Sequence, residues 1–200
     1  MYEIKTISSR EELSQGNLAE ISVYNWDTAY QPKASAQLCY LKNQGFLVRL
    51  SCQEQNPRAV ITEQNSTVCK DSCLEFFVDF APEKPVGYIN FECNVLGALH
   101  CFCGPDRHSR KAVVDMGCEQ PAAEPFRTET EWGWELLIPL KLLKTIYGKD
   151  DFRPGDRIRG NFYKCGDDTE QPHHGSYTKI DAPRPDFHRP EAFADMVITG

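Results

Sequence analysis

The chain has 200 residues, with 22 Lys and Arg against 29 Asp and Glu, which gives a formal net charge of −7. This balance leaves no excess of positive side chains to neutralise phosphates, so it argues against a nucleic-acid partner and against docking on an anionic membrane. No apolar run reaches the length of a bilayer span, and residues 1–6 lack the basic and apolar regions of a secretory signal. If the sequence is that of the complete gene product, we expect a cytoplasmic protein with a single domain over residues 1–200.

The first predicted elements form a hairpin. Residues 36–40 and 46–52 are two short runs with the composition of strands, and residues 42–45 between them end in Gly45. A glycine adopts a positive φ without steric cost, which a tight turn requires. We therefore predict two antiparallel strands joined by this turn.

Two further runs alternate between apolar and polar side chains. Residues 73–80 place their apolar side chains on one face and Glu75 on the other, and residues 88–95 repeat the pattern. This period of two is typical of strands with one buried face. A short turn at residues 96–98 leads into residues 99–103, which we predict to form a second hairpin with the preceding strand.

The rest of the chain is predicted to contain one helix and four more strands. The helix covers residues 139–148, because Pro139 suits a first turn and Gly148 suits a helix end. Short strands with frequent Gly and Pro turns favour an all-β fold, an antiparallel β-sandwich with one short helix. The four strands are residues 112–117, 133–138, 157–165 and 196–199.

Residues 171–190 are rich in Pro, His and Gly and contain no predicted strand or helix. We expect a long ordered loop here. Ordered loops of this length are often functional, so the segment is a candidate for binding.

Nine cysteines are spread over the chain, and most lie in apolar or strand-like runs. A thiol in such a run packs as a small apolar group. Disulfide frameworks are typical of much smaller secreted domains, so we predict reduced cysteines in the core. The cysteines are Cys39, Cys52, Cys69, Cys73, Cys93, Cys101, Cys103, Cys118 and Cys165.

Two groups of His and Cys residues raise the alternative of a metal site. Neither group has the spacing of a common zinc site, and Cys-rich strands recur elsewhere in the chain. We therefore predict no metal ligands. The two groups are Cys165 with His173 and His174, and Cys101 and Cys103 with His100 and His108.

Carboxylates and amides occupy the polar side of the alternating strands. If these strands pair, one sheet face presents Glu75, Asn90 and Glu92 together, and Asn161 and Tyr163 on a later strand can join them. Such groups exchange hydrogen bonds with hydroxyls, so the face is a candidate saccharide-binding surface. A solvated polar face explains the same pattern.

Glu75 and Glu92 also raise the alternative of a glycosidase, which places two carboxylates at the scissile bond. Two carboxylates on neighbouring strands are expected by chance in an acidic protein, and no nucleophile–base set stands out in the sequence. We therefore predict a protein without catalytic residues.

Five segments together resemble carbohydrate-binding module family 9 and its stand-alone relatives. Their order and spacing cover most of the chain. The resemblance implies an immunoglobulin-like or jelly-roll sandwich of a non-catalytic kind that often accompanies glycoside hydrolases in polysaccharide metabolism. The segments are KDSCLEFFV (residues 70–78), YINFECNVLG (88–97), WELLIPL (134–140), GNFYKC (160–165) and FHRPEAF (187–193).

The resemblance also implies a site in which a sugar lies between two aromatic rings beside a carboxylate. Glu75 matches that carboxylate. Cys69 stands where the first ring is expected, six residues earlier, and Tyr177 stands where the second is expected. The remaining members of the predicted ligand-binding set are the polar residues Asn90, Glu92, Asn161 and Lys164.

Two features qualify this site. Trp26 begins a loop after a short strand and is an alternative stacking platform if that loop folds over the polar face.

Some family members bind calcium, but the sequence has no Asp-rich loop, and the pair Asp167 and Asp168 suits a solvated turn equally well. We therefore predict no cofactor, with calcium left open by the resemblance.

The sequence predicts a protein that binds a small saccharide, or a saccharide end, on one sheet face. The alternative is a sandwich that has lost sugar binding and acts as an intracellular interaction or scaffold protein, because Cys69 replaces an expected ring. The oligomeric state is not predicted.

Overall fold

The computed structural model of the protein describes residues 1–26 and 29–200. Thirteen strands of this part of the chain are hydrogen-bonded into one sheet, and one α-helix, α1 (Leu140–Tyr147), follows the tenth strand. The strands are β1 (Tyr2–Ile7), β2 (Leu18–Ile21), β3 (Lys33–Leu41), β4 (Gly45–Gln53), β5 (Cys73–Asp79), β6 (Tyr88–Asn94), β7 (Leu99–Gly104), β8 (Lys111–Ala112), β9 (Glu124–Arg127), β10 (Trp132–Pro139), β11 (Arg157–Gly166), β12 (His173–Ser176) and β13 (Ala194–Thr199).

The sheet curls until its two halves share a core. Its strands follow the order β8-β7-β6-β5-β11-β13-β1-β3-β4-β10-β9, with β12 paired to β11 and β2 to β3. Phe46 on β4 and Phe80 just after β5 belong to opposite halves, yet their ring centroids are 4.9 Å apart. The buried Trp132 and Trp134 of β10 pack into the same core. The predicted all-β class is therefore confirmed.

The first strand breaks the antiparallel pattern. β1 pairs in parallel with β13, where Tyr2 lies opposite Met196, and in parallel with β3, where Lys5 lies opposite Cys39. The expectation of a purely antiparallel sheet is wrong at these two pairings, although the other strand pairs are antiparallel. Alternation within a strand indicates its two faces but not the direction of its partner, so β1 could not be placed from its sequence.

The predicted hairpin at residues 42–45 is confirmed. β3 and β4 pair antiparallel, and the turn between them uses positive φ angles at Asn43 (63°) and Gly45 (150°). A Cβ atom at Gly45 would lie 2.0 Å from the carbonyl oxygen of Ile138 on β10. The turn therefore requires glycine because of both its backbone angle and its contact with the neighbouring strand.

The helix prediction is also confirmed, whereas one strand prediction is wrong. Pro139 precedes α1, and Gly148 ends it in the left-handed region at φ 65°, donating its N–H to the carbonyl oxygen of Lys144. The strand predicted over residues 112–117 is only two residues long, and Val113–Met116 form a 3-10 turn instead. β8 is the last strand at one edge of the sheet. The residues after it have no further strand to pair with, so their backbone groups form hydrogen bonds within the 3-10 turn.

Both faces of β5 and β6 are buried, which corrects the expectation of a single buried face. Leu74 and Phe76 belong to the main core, while Phe77 and Tyr88 belong to a second cluster on the other face. Residues 180–193 supply Ile180, Phe187 and Phe193 to this second cluster. The expectation of one long loop over residues 171–190 is wrong at its start, where β12 (His173–Ser176) pairs with β11. The rest of the segment folds over the polar face of the sheet.

The cysteines match the prediction of reduced core thiols, since all nine are free and only Cys69 and Cys118 are not fully buried. Among the described residues, no helix combines the length and the apolar composition needed to cross a bilayer.

Candidate functional site

A cavity of about 170 Å³ lies over the face of the sheet that carries Glu75. Side chains of β5, β6 and β11 line it from the sheet. Residues 185–188 line it from the other side, and they belong to the segment between β12 and β13 (residues 177–193), which we call the covering loop. The described residues that line it are Cys69, Glu75, Glu92, Arg107, Cys165, Asp167, His174, Pro185, Asp186, Phe187 and His188.

Two buried carboxyl groups face each other on the sheet side of this cavity. Glu75 lies directly opposite Glu92 in the register of β5 and β6, and they are only 2% and 7% exposed. Burial and the neighbouring Glu92 raise the pKa of Glu75 well above its usual range. Burial also raises the pKa of Glu92, to about 7, although the positive charges of Arg110 and Arg107 oppose the rise.

Asn90 and Arg110 support Glu92 from the side. The side-chain Nδ2 of Asn90 donates to Glu92 Oε1 over 2.9 Å, and Arg110 Nη1 donates to the side-chain Oδ1 of Asn90 over 2.6 Å. Arg110 Nη1 also lies 3.7 Å from Glu92 Oε1. Asn90 therefore holds Glu92 in place next to the cavity, and we find it beside the cavity rather than in its wall.

Three cysteines surround Glu75. Cys165 donates its thiol to Glu75 Oε1 over 3.0 Å, and Cys73 lies directly opposite Cys165 in the register of β5 and β11. Burial raises the pKa of Cys73. Cys165 also has a raised pKa, because of its hydrogen bond with Cys73 and its burial. Cys69 lines the cavity just beyond them and has a raised pKa because of its burial.

Charged pairs surround the outer part of the cavity. His174 Nε2 lies 3.0 Å from Asp167 Oδ1. Partial burial opposes the ionisation of Asp167, but its hydrogen bond with His174 and the charges around it lower its pKa overall. On the covering loop, Asp186 accepts a hydrogen bond from Arg107 Nη2 over 2.9 Å. The outer wall is therefore charged, whereas burial favours the neutral form of Glu75 deeper inside.

Stacked rings hold the covering loop on the sheet. The ring of Phe187 stacks on Tyr163 with centroids 4.2 Å apart, and the ring of His188 lies 4.8 Å from that of Phe77. His188 Nδ1 is 2.8 Å from the Tyr88 hydroxyl oxygen. Burial and the charges of nearby arginines lower the pKa of His188 to about 3, so this ring is neutral near pH 7.

Trp26 packs behind the covering loop. Its Nε1 donates to the carbonyl oxygen of Ala182 over 2.9 Å, and its ring lies 6.2 Å from Phe187 and 6.3 Å from His174. It is absent from the described residues that line the cavity. It therefore supports the covering loop from behind, and residues 27–28 of its own loop lie outside the described residues.

The structure brings together only part of the predicted ligand-binding set. Cys69, Glu75 and Glu92 line the cavity, and Asn90 lies beside it. Asn161 shares their face of the sheet but is fully buried, and its side-chain oxygen accepts the backbone N–H of Thr178 over 3.0 Å. Asn161 therefore anchors the start of the covering loop.

The expectation that Lys164 shares this face is wrong. Tyr163 lies opposite Glu75 in the register, so the next residue, Lys164, points to the other face of β11. There its Nζ lies 3.2 Å from Glu54 Oε2 and 2.7 Å from His173 Nε2, and the lysine is fully buried. Residues three apart on a strand, such as Asn161 and Lys164, cannot share a face.

The expectation that Tyr177 supplies a stacking ring at the cavity is also wrong. Its backbone N–H donates to the carbonyl oxygen of Phe162, one step beyond the β11–β12 register, so it points to the same side as Phe162. Its ring packs edge-on against Tyr2 and Phe162, at 6.2 and 6.0 Å between centroids, beside the main core.

Sequence reasoning missed most of the cavity wall. Cys165 could have been identified, because it follows Tyr163 by two residues and shares the face of Glu75. The covering-loop residues lie in the segment that was already a candidate for binding, but its contact with β5 and β6 is long-range. The missed residues are Arg107, Cys165, Asp167, His174, Pro185, Asp186, Phe187 and His188.

The structure does not bring together the two His and Cys groups that were alternatives for a metal site. Cys101 and Cys103 point into the main core, whereas His100 lies on the opposite face of β7. Cys165 and His174 are cross-strand neighbours and both line the cavity, but His173 points to the other face with Lys164.

Comparison with known proteins places the chain in a family. A model of carbohydrate-binding family 9 matches residues 9–198. The structure is similar to that of a candidate carbohydrate-binding protein from Bacteroides uniformis, with 26% identity, a TM-score of 0.78, and coverage of 98% of this chain and 97% of that one. No curated protein matches the sequence.

Two further solved structures show the same fold at lower identity. Both are of a carbohydrate-binding module of family 9 from Caldicellulosiruptor kristjanssonii, one in complex with cellotriose and one with glucose, and each is 11% identical to this chain. The TM-scores are 0.67 and 0.64, with 100% and 99% of this chain and 93% and 96% of those chains covered. The chain therefore belongs to carbohydrate-binding family 9, a family of non-catalytic binding modules, as the resemblance of its five segments indicated.

Proposed function

We propose that this protein binds a small saccharide, or the end of a saccharide chain, in the cavity beside Glu75. The observation that carries the proposal is the composition of the cavity wall, which combines buried carboxyl groups with an arginine and aromatic rings in a member of a carbohydrate-binding family. We infer that the curled sheet corresponds to the sandwich of that family, with the polar face of one half carrying the site.

The chemistry of the wall suits hydroxyl groups. A protonated Glu75 both donates and accepts a hydrogen bond, Asp186 accepts, and Arg107 donates. Sugar hydroxyls need both kinds of partner. The Phe187 ring provides an apolar surface for the carbon face of a pyranose.

The size of the cavity limits the ligand. A volume of about 170 Å³ is below the ~300 Å³ at which pockets for drug-sized ligands begin. One sugar ring fits this space better than an inner stretch of a polysaccharide. The side chains of Arg107 and Asp186 line the cavity and are partly exposed, at 48% and 24%, so the rest of a saccharide chain that enters by its end would leave past them.

The test is a calorimetric titration of the full chain with glucose, xylose and cellobiose. We expect binding in the millimolar range or tighter. Asp186→Asn should lower the affinity about tenfold, because it replaces the charged acceptor of a sugar hydroxyl by a neutral amide and so weakens one charge-assisted hydrogen bond to the sugar. Asp150→Asn, at a surface ion pair with Lys144, is the matched control and keeps the wild-type affinity. No heat at millimolar concentrations of all three sugars would contradict the proposal.

A second candidate function, an interaction or scaffold protein, is favoured by the missing rings. Cys69 replaces one expected ring, Tyr177 lies on the other face, and residues 185–188 cover the cavity. Sugar binding that appears only in Phe187→Ala, and not in the wild type, would favour this candidate, because it would show that the cover normally excludes sugar.

A further inference from the structure

Three potential metal ligands lie close together on the sheet side of the cavity: Glu75 and Cys165 line it, and Cys73 is buried beside them. Cys73 and Cys165 are cross-strand neighbours, and Glu75 follows Cys73 by two residues and so shares its face. One ligand atom from each of the three lies within 4.8 Å of the others. Tetrahedral zinc, with bonds of ~2.3 Å to sulfur and ~2.0 Å to oxygen, needs ligand separations of about 3.5–3.8 Å. Rotation of short side chains closes the remaining difference.

The electrostatic surroundings of these groups lack a direct counter-charge. Glu75 is almost completely buried, and its carboxylate accepts a hydrogen bond from the Cys165 thiol. Arg110 contacts Glu92 and Asn90, so its positive charge lowers the pKa of Glu75 only from a distance and does not offset the effect of burial. A buried carboxylate without a cation is costly, so these groups are neutral unless a cation joins them.

We propose that Cys73, Glu75 and Cys165 bind one thiophilic divalent cation, zinc above all, beside this cavity. Two thiolates and one carboxylate are ligands that zinc accepts, which leaves a fourth position for water or for Cys69, which lines the same cavity. Binding releases the protons of both thiols and of the Glu75 carboxyl group to the solvent, so the affinity rises with pH. The site goes beyond the proposed sugar binding, because it needs no sugar, although both involve Glu75.

The test uses the full chain, reduced and stripped of metal with a chelator. Cobalt(II) is titrated first, because tetrahedral thiolate coordination gives visible bands and a thiolate-to-cobalt charge-transfer band. Zinc affinity is then measured by competition with a chromophoric chelator. We expect one cobalt or zinc ion per chain, and release of about three protons per zinc, two from the thiols and one from Glu75.

The variants separate this site from the other thiols. We expect Cys73→Ser and Cys165→Ser to lower zinc affinity roughly 100-fold or more, and Glu75→Gln roughly 10-fold or more. Cys118→Ser, which removes a half-buried thiol elsewhere, is the matched control and keeps the wild-type affinity and spectrum. If a serine variant does not fold, as judged by circular dichroism, the zinc affinity of Glu75→Gln and the number of protons that the wild type releases test the proposal instead.

The inference is overturned if the wild type takes up no stoichiometric cobalt, or if the Cys73→Ser, Cys165→Ser double variant folds and keeps the wild-type spectrum. Sugar titrations of metal-free and zinc-loaded protein keep the two proposals apart. Sugar binding without metal uptake rejects the metal site alone, and metal uptake without sugar binding rejects the proposed function alone.

Discussion

Glu75 and Glu92 face each other across two neighbouring strands with both carboxyl groups buried. A pair of this kind cannot ionise fully without positive charge nearby, and Arg110 contacts Glu92 directly but acts on Glu75 only from a greater distance. The pair therefore makes the site sensitive to pH close to neutrality.

Glu92→Gln tests this sensitivity. The pKa of Glu92 rises from 4.5 to about 7 on folding, so its contribution to stability is complete below pH 4.5 and is lost as the pH rises through 7. Gln does not titrate, so the stability of Glu92→Gln relative to the wild type should increase over this interval, by up to about 1.4 kcal/mol per pH unit. Urea unfolding between pH 4.5 and 8 measures the difference, with Glu119→Gln at an exposed carboxylate as control. A flat difference would show that Glu92 ionises normally.

Lys164→Met tests the buried ion pair on the other face of β11. The change leaves Glu54 buried without its cation, so we expect a loss of about 3–5 kcal/mol in the free energy of unfolding. Adding Glu54→Gln should recover part of this loss. Burial, and then the charge of Lys164, lower the pKa of His173 to about 4. NMR titration of Lys164→Met should therefore show a higher pKa for His173. An unchanged pKa would contradict the contact between Lys164 and His173.

Gly45→Ala tests the turn between β3 and β4. The new Cβ would meet the Ile138 carbonyl oxygen at 2.0 Å, so we expect a loss of about 3 kcal/mol or more. Gly155 is the matched control, because its φ is also positive, at 95°, but nothing lies within 4 Å of its Cβ position. Gly155→Ala should cost only about 1–2 kcal/mol. Equal losses by thermal or urea unfolding would mean that backbone strain alone matters.

Phe187→Ala tests the stacked cover of the cavity. The variant loses the stack on Tyr163, and we expect it to be less stable by about 3 kcal/mol. Cys69 lies below the cover, so alkylation of Cys69, followed by mass spectrometry, should become faster than in the wild type. Val60→Ala, at an exposed apolar residue, is the control. An unchanged alkylation rate would show that residues 185–188 do not shield the cavity.

Local patterns predicted the parts of the fold that local physics decides. The strands at residues 73–80 and 88–95, the Gly45 turn and the Pro139 and Gly148 ends of the helix each depend on near neighbours, and each is confirmed. The expectation that those two strands bury a single face is wrong, because the segment that covers their other face is far away in sequence. The parallel pairings of β1 depend on strands far away in sequence, and nothing in residues 2–7 indicates their direction.

The candidate site shows the same limit. The shared face of Glu75, Asn90 and Glu92 follows from period two and the β5–β6 pairing. Alternation does not indicate what covers that face, so the contribution of Asp186, Phe187 and His188 could not be predicted. The prediction that Lys164 shares the face of Asn161 conflicts with the alternation of side chains along β11, because the two residues are three apart. The face of Tyr177 depends on the β11–β12 register, which is not visible in the sequence.

The position of β1 between β13 and β3 has a consequence for synthesis. Tyr2 can pair with Met196 only after residues 2–196 have left the ribosome, so until then β1 and β11 each keep an unpaired edge. Pairings of such long sequence separation form slowly. The nascent protein therefore spends its elongation with open strand edges, and any truncation before residue 194 would make that aggregation-prone intermediate permanent.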